Sequence, residues 1–258
     1  MNRNMAIYGA GAVLLGVIGL TVQDFALQWQ PVPDSLPLYT LFANLSALIL
    51  LGGGALLFTK WWRQGTLALG LLYALWALAL HGPRVIQHPL DVGIWLGLAE
   101  IGGLATAGLL AWASFERSGT DRLRRVGHVL FAACLLVYGT SHFVYADFSA
   151  TMIPGWLPMP LFWVYLTGSG HIAAGLSLIA GIAVRLSTTL LVFMIGCFVV
   201  LLHAPRVIAA PTSRIEWTML GVSLSLLGAA WIIRSSAMLA PLPTRSAPAG
   251  SAVTGATP

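Results

Sequence analysis

The chain has 258 residues, of which only 8% are charged and 58% are Ala, Val, Ile, Leu, Met, Phe, Trp, Tyr or Cys. Soluble domains carry roughly 25% charged residues, so the composition excludes a water-soluble globular domain and predicts a polytopic membrane protein. The formal net charge of +5 follows from where Lys and Arg fall relative to the bilayer, and needs no nucleic-acid partner.

A membrane-spanning helix needs about 20 mostly apolar residues. Eight such stretches lie near 5–27, 38–59, 64–81, 92–114, 126–146, 160–182, 186–203 and 215–233. The first imitates a signal peptide, with Arg3 ahead of an apolar run. It lacks a convincing small-x-small cleavage site and aligns with the fifth stretch, so it is read as a helix. The third and seventh stretches are short. They end in the same hexapeptide, His81-Gly82-Pro83-Arg84-Val85-Ile86 and His203-Ala204-Pro205-Arg206-Val207-Ile208, at an offset of 122 residues. That offset also pairs Arg63 with Arg185 and Trp95 with Trp217; with one residue of slippage, Pro33-x-x-Leu36-Pro37 pairs with Pro154-x-x-Leu157-Pro158.

The expected fold is therefore an all-α integral membrane protein with eight transmembrane helices in two four-helix repeats, 1–115 and 125–235. Each unit has an even number of spans, so the repeats are parallel, unlike the inverted repeats of many transporters. The charged stretch 114–125 joins them, and the Pro-, Ser-, Ala-, Gly- and Thr-rich tail 241–258 is expected to be disordered. Arg3, Lys60, Arg63, Arg117, Arg122, Arg124, Arg125, Arg185, Arg234 and Arg245 fall on one side, against Arg84, Arg206 and Arg214 on the other. This bias puts both termini in the cytoplasm.

Small residues at Gly52-Gly53-Gly54, at Ala173-Ala174-Gly175 and at Gly168 and Gly170 predict close helix approach. The loop residues Trp29, Pro31, Pro33, Pro37, Trp156, Pro158 and Pro160 read as interfacial anchors, or as a lid over an outward pocket. Cys134 and Cys197 fall in mid-span without a Cys-x-x-Cys pairing and read as packing residues.

Proline disfavours helical geometry at the residue before it, so spans three and seven should stop at His81 and His203, close to the outer surface. The free carbonyls of a helix end would favour a cationic imidazole there. Arg84 and Arg206 stand against the prevailing charge bias, and a guanidinium suits a carboxylate, phosphate or sulfur oxyanion. These four residues are the candidate substrate-binding rim; the bland alternative is a helix stop with an arginine on lipid headgroups. His142, near the outer end of span five, and His171, near the middle of span six, have no counterparts in the first half. Ionisable groups at that depth are costly and mark function by default. With Glu100, the one carboxylate well inside a span, they are the candidate catalytic residues; neutral His held by Ser or Thr is the modest alternative. Asp24 and Asp147 extend a polar ring at the outer ends, and His128 reads as solvated on the basic side. No metal-ligand motif and no Gly-rich phosphate loop occurs.

The stretches Gly139-x-x-His142-Phe143, Met152-Ile-Pro154-Gly-Trp-Leu-Pro158, Phe162-Trp-Val-Tyr-Leu-Thr-Gly168 and His171-Ile-Ala-Ala-Gly175-Leu-Ser-Leu-Ile179 together resemble the DoxX-like family of small bacterial membrane proteins. Spans five to eight correspond to one four-helix family unit, and the first half looks like a diverged second copy. The resemblance implies a subunit of a quinone-linked oxidoreductase, as in a thiosulfate:quinone enzyme, or a part in an oxidative-stress complex. On that reading His142 and His171 bind or protonate a quinone-like ring, and Arg206 and Arg84 attract a small anionic donor at the outer face. Quinone is the cofactor implied, with haem the lesser alternative. A non-catalytic scaffold or lipid-binding partner of another complex is the competing reading, with a partner subunit or a homo-oligomer beside the lipid bilayer.

Overall fold

The structure, a computed structural model, describes residues 5–113 and 120–239; the tail 241–258 and residues 114–119 of the charged linker lie outside the described residues. Inside a bilayer no water is present to satisfy backbone N–H and C=O groups, so apolar runs of this length fold as helices. Helices α1 (Ala6–Val22), α2 (Tyr39–Leu56), α3 (Trp62–Trp76), α4 (Gly82–Gln87), α5 (Val92–Ala113), α6 (Thr120–Val144), α7 (Ala146–Met152), α8 (Pro160–Ala180), α9 (Val184–Cys197), α10 (Ala204–Ala209) and α11 (Arg214–Leu239) account for most of the chain. No strand occurs among the described residues. Seven helical stretches are long and apolar enough to cross a membrane, while Ala6–Val22 is a shorter apolar helix. The chain is a multi-pass, all-α membrane protein.

Spans three and seven depart from expectation. They do not stop at the histidines but run on as single stretches, Trp62–Gln87 and Val184–Ala209, of 26 residues each. They are long, not short. A π turn, Ala77–His81, joins α3 to α4, and a second, Phe198–His203, joins α9 to α10. Gly82 N–H reaches back to Ala77 O and Ala204 N–H to Val199 O, one residue further than in an α-helix. A proline inside a helix loses its N–H and presses on the carbonyl one turn back. The widened turn accommodates Pro83 and Pro205, and Gly82 and Ala204 keep helical dihedrals. His81 and His203 thus lie a turn and a half inside the helix end, away from the terminal carbonyls invoked to charge them.

The helices pack in chain order into a closed ring. α1 packs on α2, α2 on α3, α3 on α5, α5 on α6, α6 on α8, α8 on α9, α9 on α11, and α11 returns to α1. α5 and α11 also meet across the middle. The core there is built from Tyr8, Tyr73, Leu104, Phe131, Leu135 and Ile233, all almost fully buried. Tyr8 donates its hydroxyl to Leu104 O at 2.8 Å, which satisfies its one polar atom.

The predicted small faces serve contacts within each half. Gly54 meets Gly9 and Val13 of α1, Gly175 meets Ala132 and Leu136 of α6, and Gly170 faces Met194 of α9. The halves meet through α1 on α11 and through α5 on α6 and α11. A Cβ at Gly228 would stand 2.2 Å from Tyr8 N, and one at Gly11 2.5 Å from Ser225 N, so the two backbones touch. Lys60, Arg63, Arg122, Arg124, Arg125, Arg185 and Arg234 lie at one end of the bundle, and Arg84, Arg206 and Arg214 at the other.

Candidate functional site

Two polar clusters lie near the end of the bundle that carries Arg84, Arg206 and Arg214. The first is built by the π turn of span three, which carries His81 inward until it is 2% exposed. Its Nε2 lies 3.1 Å from Trp29 O; a carbonyl only accepts, so Nε2 carries the proton and donates. The ring sits on Gly97 of α5, where a Cβ would stand 3.0 Å from Nδ1. Trp29 in turn donates its indole N–H to Glu100 Oε2 at 2.7 Å. Expected as an interfacial anchor, Trp29 is 5% exposed and sits on a short 3-10 turn, Leu27–Trp29, folded back against α5. The physical reason is Glu100: a carboxyl buried in the bundle needs a donor, and the indole supplies it. Trp156, at 68% exposure, keeps the surface position expected of an anchor.

The second copy of the hexapeptide is differently surrounded. Where the first half has Gly97 and Glu100, the residues 122 positions later are Met219 and Val222. His203 makes no hydrogen bond among the described residues, and its buried Nδ1 has no partner. Arg206 forms a bidentate pair with Glu216, Nε to Oε2 at 2.9 Å and NH2 to Oε1 at 2.7 Å. The position equivalent to Glu216 is Ile94. Arg84 is accordingly exposed and has no hydrogen bond or ion pair among the described residues. Of the two rim guanidiniums, only Arg84 is free for an anion.

The second cluster lies between α6, α8 and α9. A Cβ on Gly168 would fall 2.8 Å from His142 Cβ, and one on Gly139 2.7 Å from Gly168 O. Glycine at both positions lets α6 and α8 approach until His142 and His171 meet, with ring centroids 5.2 Å apart. Phe198, the first residue of the second π turn, stacks near His142 at 6.4 Å and lies 6.1 Å from His171. Tyr138 presents an edge-on contact to His171 at 5.6 Å. Each imidazole bonds through Nδ1 to the carbonyl one turn back, His142 to Tyr138 O at 2.8 Å and His171 to Thr167 O at 3.0 Å. Those carbonyls fix the proton on Nδ1, leaving each Nε2 with a lone pair. No hydrogen bond reaches either Nε2 among the described residues. The pair is thus two acceptors side by side, walled by aromatic rings. The partner of His171 is a backbone carbonyl rather than the hydroxyl of Ser169 or Thr167 envisaged from sequence.

Of the residues expected to act together, His142 and His171 are adjacent, whereas Glu100 belongs to the cluster with Trp29 and His81. Tyr138 lies between the two, its ring on His171 and its hydroxyl on Ala99 O at 2.9 Å. Tyr138, Phe198, Trp29 and Gly97 are site residues that sequence reasoning missed. Asp24 is clamped by Arg214 at 2.7 Å and accepts from Tyr39 at 2.7 Å. Burial pushes its carboxyl up, but these hydrogen bonds outweigh that and hold it below the ordinary carboxylate value. Asp147 is exposed. His128 is not merely solvated: it is half-buried, with Nε2 2.8 Å from Ser236 Oγ. Both cysteines are free thiols with different neighbours, Cys134 beside Gly102 of α5 and Cys197 beside α11. Among the described residues no group of three or more His, Cys, Asp and Glu could hold a metal ion. No known protein family, characterised protein or solved structure matches the chain.

Proposed function

We propose that this chain is a DoxX-like subunit of a quinone-linked redox system of the bacterial inner membrane, and that His142 and His171 bind the reduced, quinol form of the ring. The carrying observation is the orientation of the two imidazoles. With Nδ1 committed to backbone carbonyls, each Nε2 can accept a hydrogen bond but cannot donate one. A quinol offers two O–H donors; a quinone offers two carbonyl acceptors and would require a charged imidazolium, which is costly at this depth. Phe198 and Tyr138 supply aromatic walls for a flat ring. The pair therefore receives protons where the sequence reading had it donate them. Arg84 serves as the rim cation for an anionic partner molecule.

The same proposal counts α1 as an eighth span and takes the two halves as parallel four-helix repeats. In support, the π turns fall at the same place in both hexapeptides. Leu38 and Met159, each ahead of the second helix of its half, both adopt left-handed backbone, φ 56 and 54. Trp95 bonds Pro89 O at 2.9 Å just as Trp217 bonds Pro211 O at 2.8 Å. On this reading the basic end of the bundle faces the cytoplasm, with both termini on that side.

The test is purification in mild detergent followed by extraction and mass spectrometry of bound small molecules. Quinol or quinone should co-purify with the wild type and be lost from His171→Ala. A folded His171→Ala protein that retains as much as the wild type sinks the reading. One observation favours the competing scaffold: Arg206 is neutralised by Glu216, which halves the rim charge available to an anionic donor. A wild-type extract holding neither quinone nor quinol would move the assignment to that scaffold.

A further inference from the structure

The halves differ where their third and fourth spans meet. In the first half Gly70 of α3 lies against Gly108 of α5, and a Cβ on either would stand 2.9 Å from the other helix's backbone. The residues 122 positions later are Val192 and Ala230. Val192 lines a groove of about 580 Å³ between α9 and α11, within the roughly 300–1,000 Å³ of small-molecule sites. Its walls are apolar and open sideways towards the bilayer, with Phe193 70% and Val200 63% exposed.

One end of the groove is cationic. Arg234, near the end of α11, lines it together with Thr189 of α9. Arg234 Nε donates to Thr189 Oγ1 at 2.9 Å, which fixes the guanidinium across the groove mouth. No carboxylate pairs with it among the described residues, in contrast to Arg206 and Arg214. Leu227 and Arg234 both line the wall, seven residues apart along α11, which is about 10 Å of slot at 1.5 Å per residue. Arg185 stands one turn further out than Thr189 on α9, at the same basic end of the bundle.

An apolar slot open to the bilayer and closed at the membrane surface by a free guanidinium fits one class of occupant. We infer that the α9–α11 groove binds an anionic phospholipid, with an acyl chain along Phe193, Gly196, Val200 and Leu227 and the headgroup phosphate on Arg234. The planar fork of an arginine matches phosphate oxygens, and basic pockets between spans recognise anionic headgroups in this way. This site lies on the side of α9 away from His142 and His171 and stands independently of the quinol reading.

Native mass spectrometry of the full chain with phosphatidylglycerol or phosphatidylcholine of identical chains tests it. Both headgroups offer a phosphate to Arg234, but only phosphatidylglycerol is net anionic, because the choline ammonium offsets the charge in phosphatidylcholine; phosphatidylglycerol should therefore bind about fivefold more tightly. Arg234→Gln should erase that preference, and Arg234→Lys should keep part of it. Gly196→Leu should weaken both lipids, because a Cβ there meets only Leu227, at 3.9 Å, and the added side chain fills the slot. Thermal unfolding that matches the wild type shows that the variants are folded. Equal binding of the two lipids to the wild type overturns the inference. So does a phosphatidylglycerol preference that survives Arg234→Gln, or a cross-linked second copy of the chain seated on this face.

Discussion

The two halves bury their polar groups in opposite ways. In the first, His81 donates through Nε2 to Trp29 O and Trp29 donates to Glu100, so the imidazole, the loop and the carboxyl are tied together across three elements, with His81 Nδ1 left unbonded among the described residues. In the second, His142 and His171 donate through Nδ1 to their own helices and leave both Nε2 atoms unbonded. A network that joins distant elements stiffens a fold, whereas two imidazoles bonded only within their own helices leave a pair of acceptors for a ligand. Helix packing differs in parallel: the first half is drawn tight at Gly70 and Gly108, and the second carries a groove beside Val192. The cross-linked cluster and the tight seam belong to one half, the imidazole pair and the groove to the other. On the proposed reading the buried groups of the first half act as support and those of the second as binding surface, with Arg84 at the rim.

The largest expected effect tests the seam. Gly70→Leu forces side-chain atoms into the α5 backbone and should cost roughly 3 kcal/mol or more. It would be read as earlier thermal exposure of Cys134 and Cys197 to a thiol-reactive dye. Val192→Leu, at the matching place in the open seam, should change that midpoint little; equal losses from the two would erase the contrast. Next in size is Trp29→Phe, which leaves Glu100 buried without its donor and should cost about 1–3 kcal/mol. His142→Gln should shift stability by less than about 1 kcal/mol, while lowering quinol retention. If Trp29→Phe proved neutral and His142→Gln strongly destabilising, the assignment of support and binding would be reversed.

Much of the architecture was legible in the sequence. Apolar runs located the seven long helices and the shorter α1, because lipid leaves a helix as the only local solution for such runs. His142 and His171 were legible as a pair because polarity at that depth is costly wherever it occurs. The course of spans three and seven was not. A local rule stops a helix before proline, and the π turns that carry the chain past Pro83 and Pro205 rest on packing with neighbouring helices. Trp29 was misread for a related reason: a tryptophan in a Pro-rich loop looks interfacial until the distant Glu100 is known to lie beneath it. Nor could spacing reveal that Arg206 is paired and Arg84 free, since only Glu216, with Ile94 as its counterpart, separates two identical hexapeptides.

The smallest effect separates the two junctions at which the opening of a fourth span meets the loop after a first span. At the start of α11, Arg214 clamps Asp24 with a charged bond at 2.7 Å. At the start of α5, the Tyr145 hydroxyl accepts from Gly93 N at 3.0 Å and lies 3.3 Å from Asp91. The Asp24 carboxyl is held below its ordinary value. A carboxyl lowered in the folded state contributes its stabilisation fully above the unfolded value and loses it as pH falls through the folded one. The stability difference between wild type and Asp24→Asn should therefore be constant near neutrality and shrink below the ordinary carboxylate value of 3.8. Tyr145→Phe should give a smaller loss at neutral pH, because it removes a neutral hydroxyl and not one member of a charged pair. Asp24 is partly solvated, so added salt should narrow the Asp24→Asn difference at neutral pH and leave that of Tyr145→Phe alone. A pH-flat Asp24→Asn difference would show that the ionised form of Asp24 contributes nothing to stability, and the two junctions would then be alike.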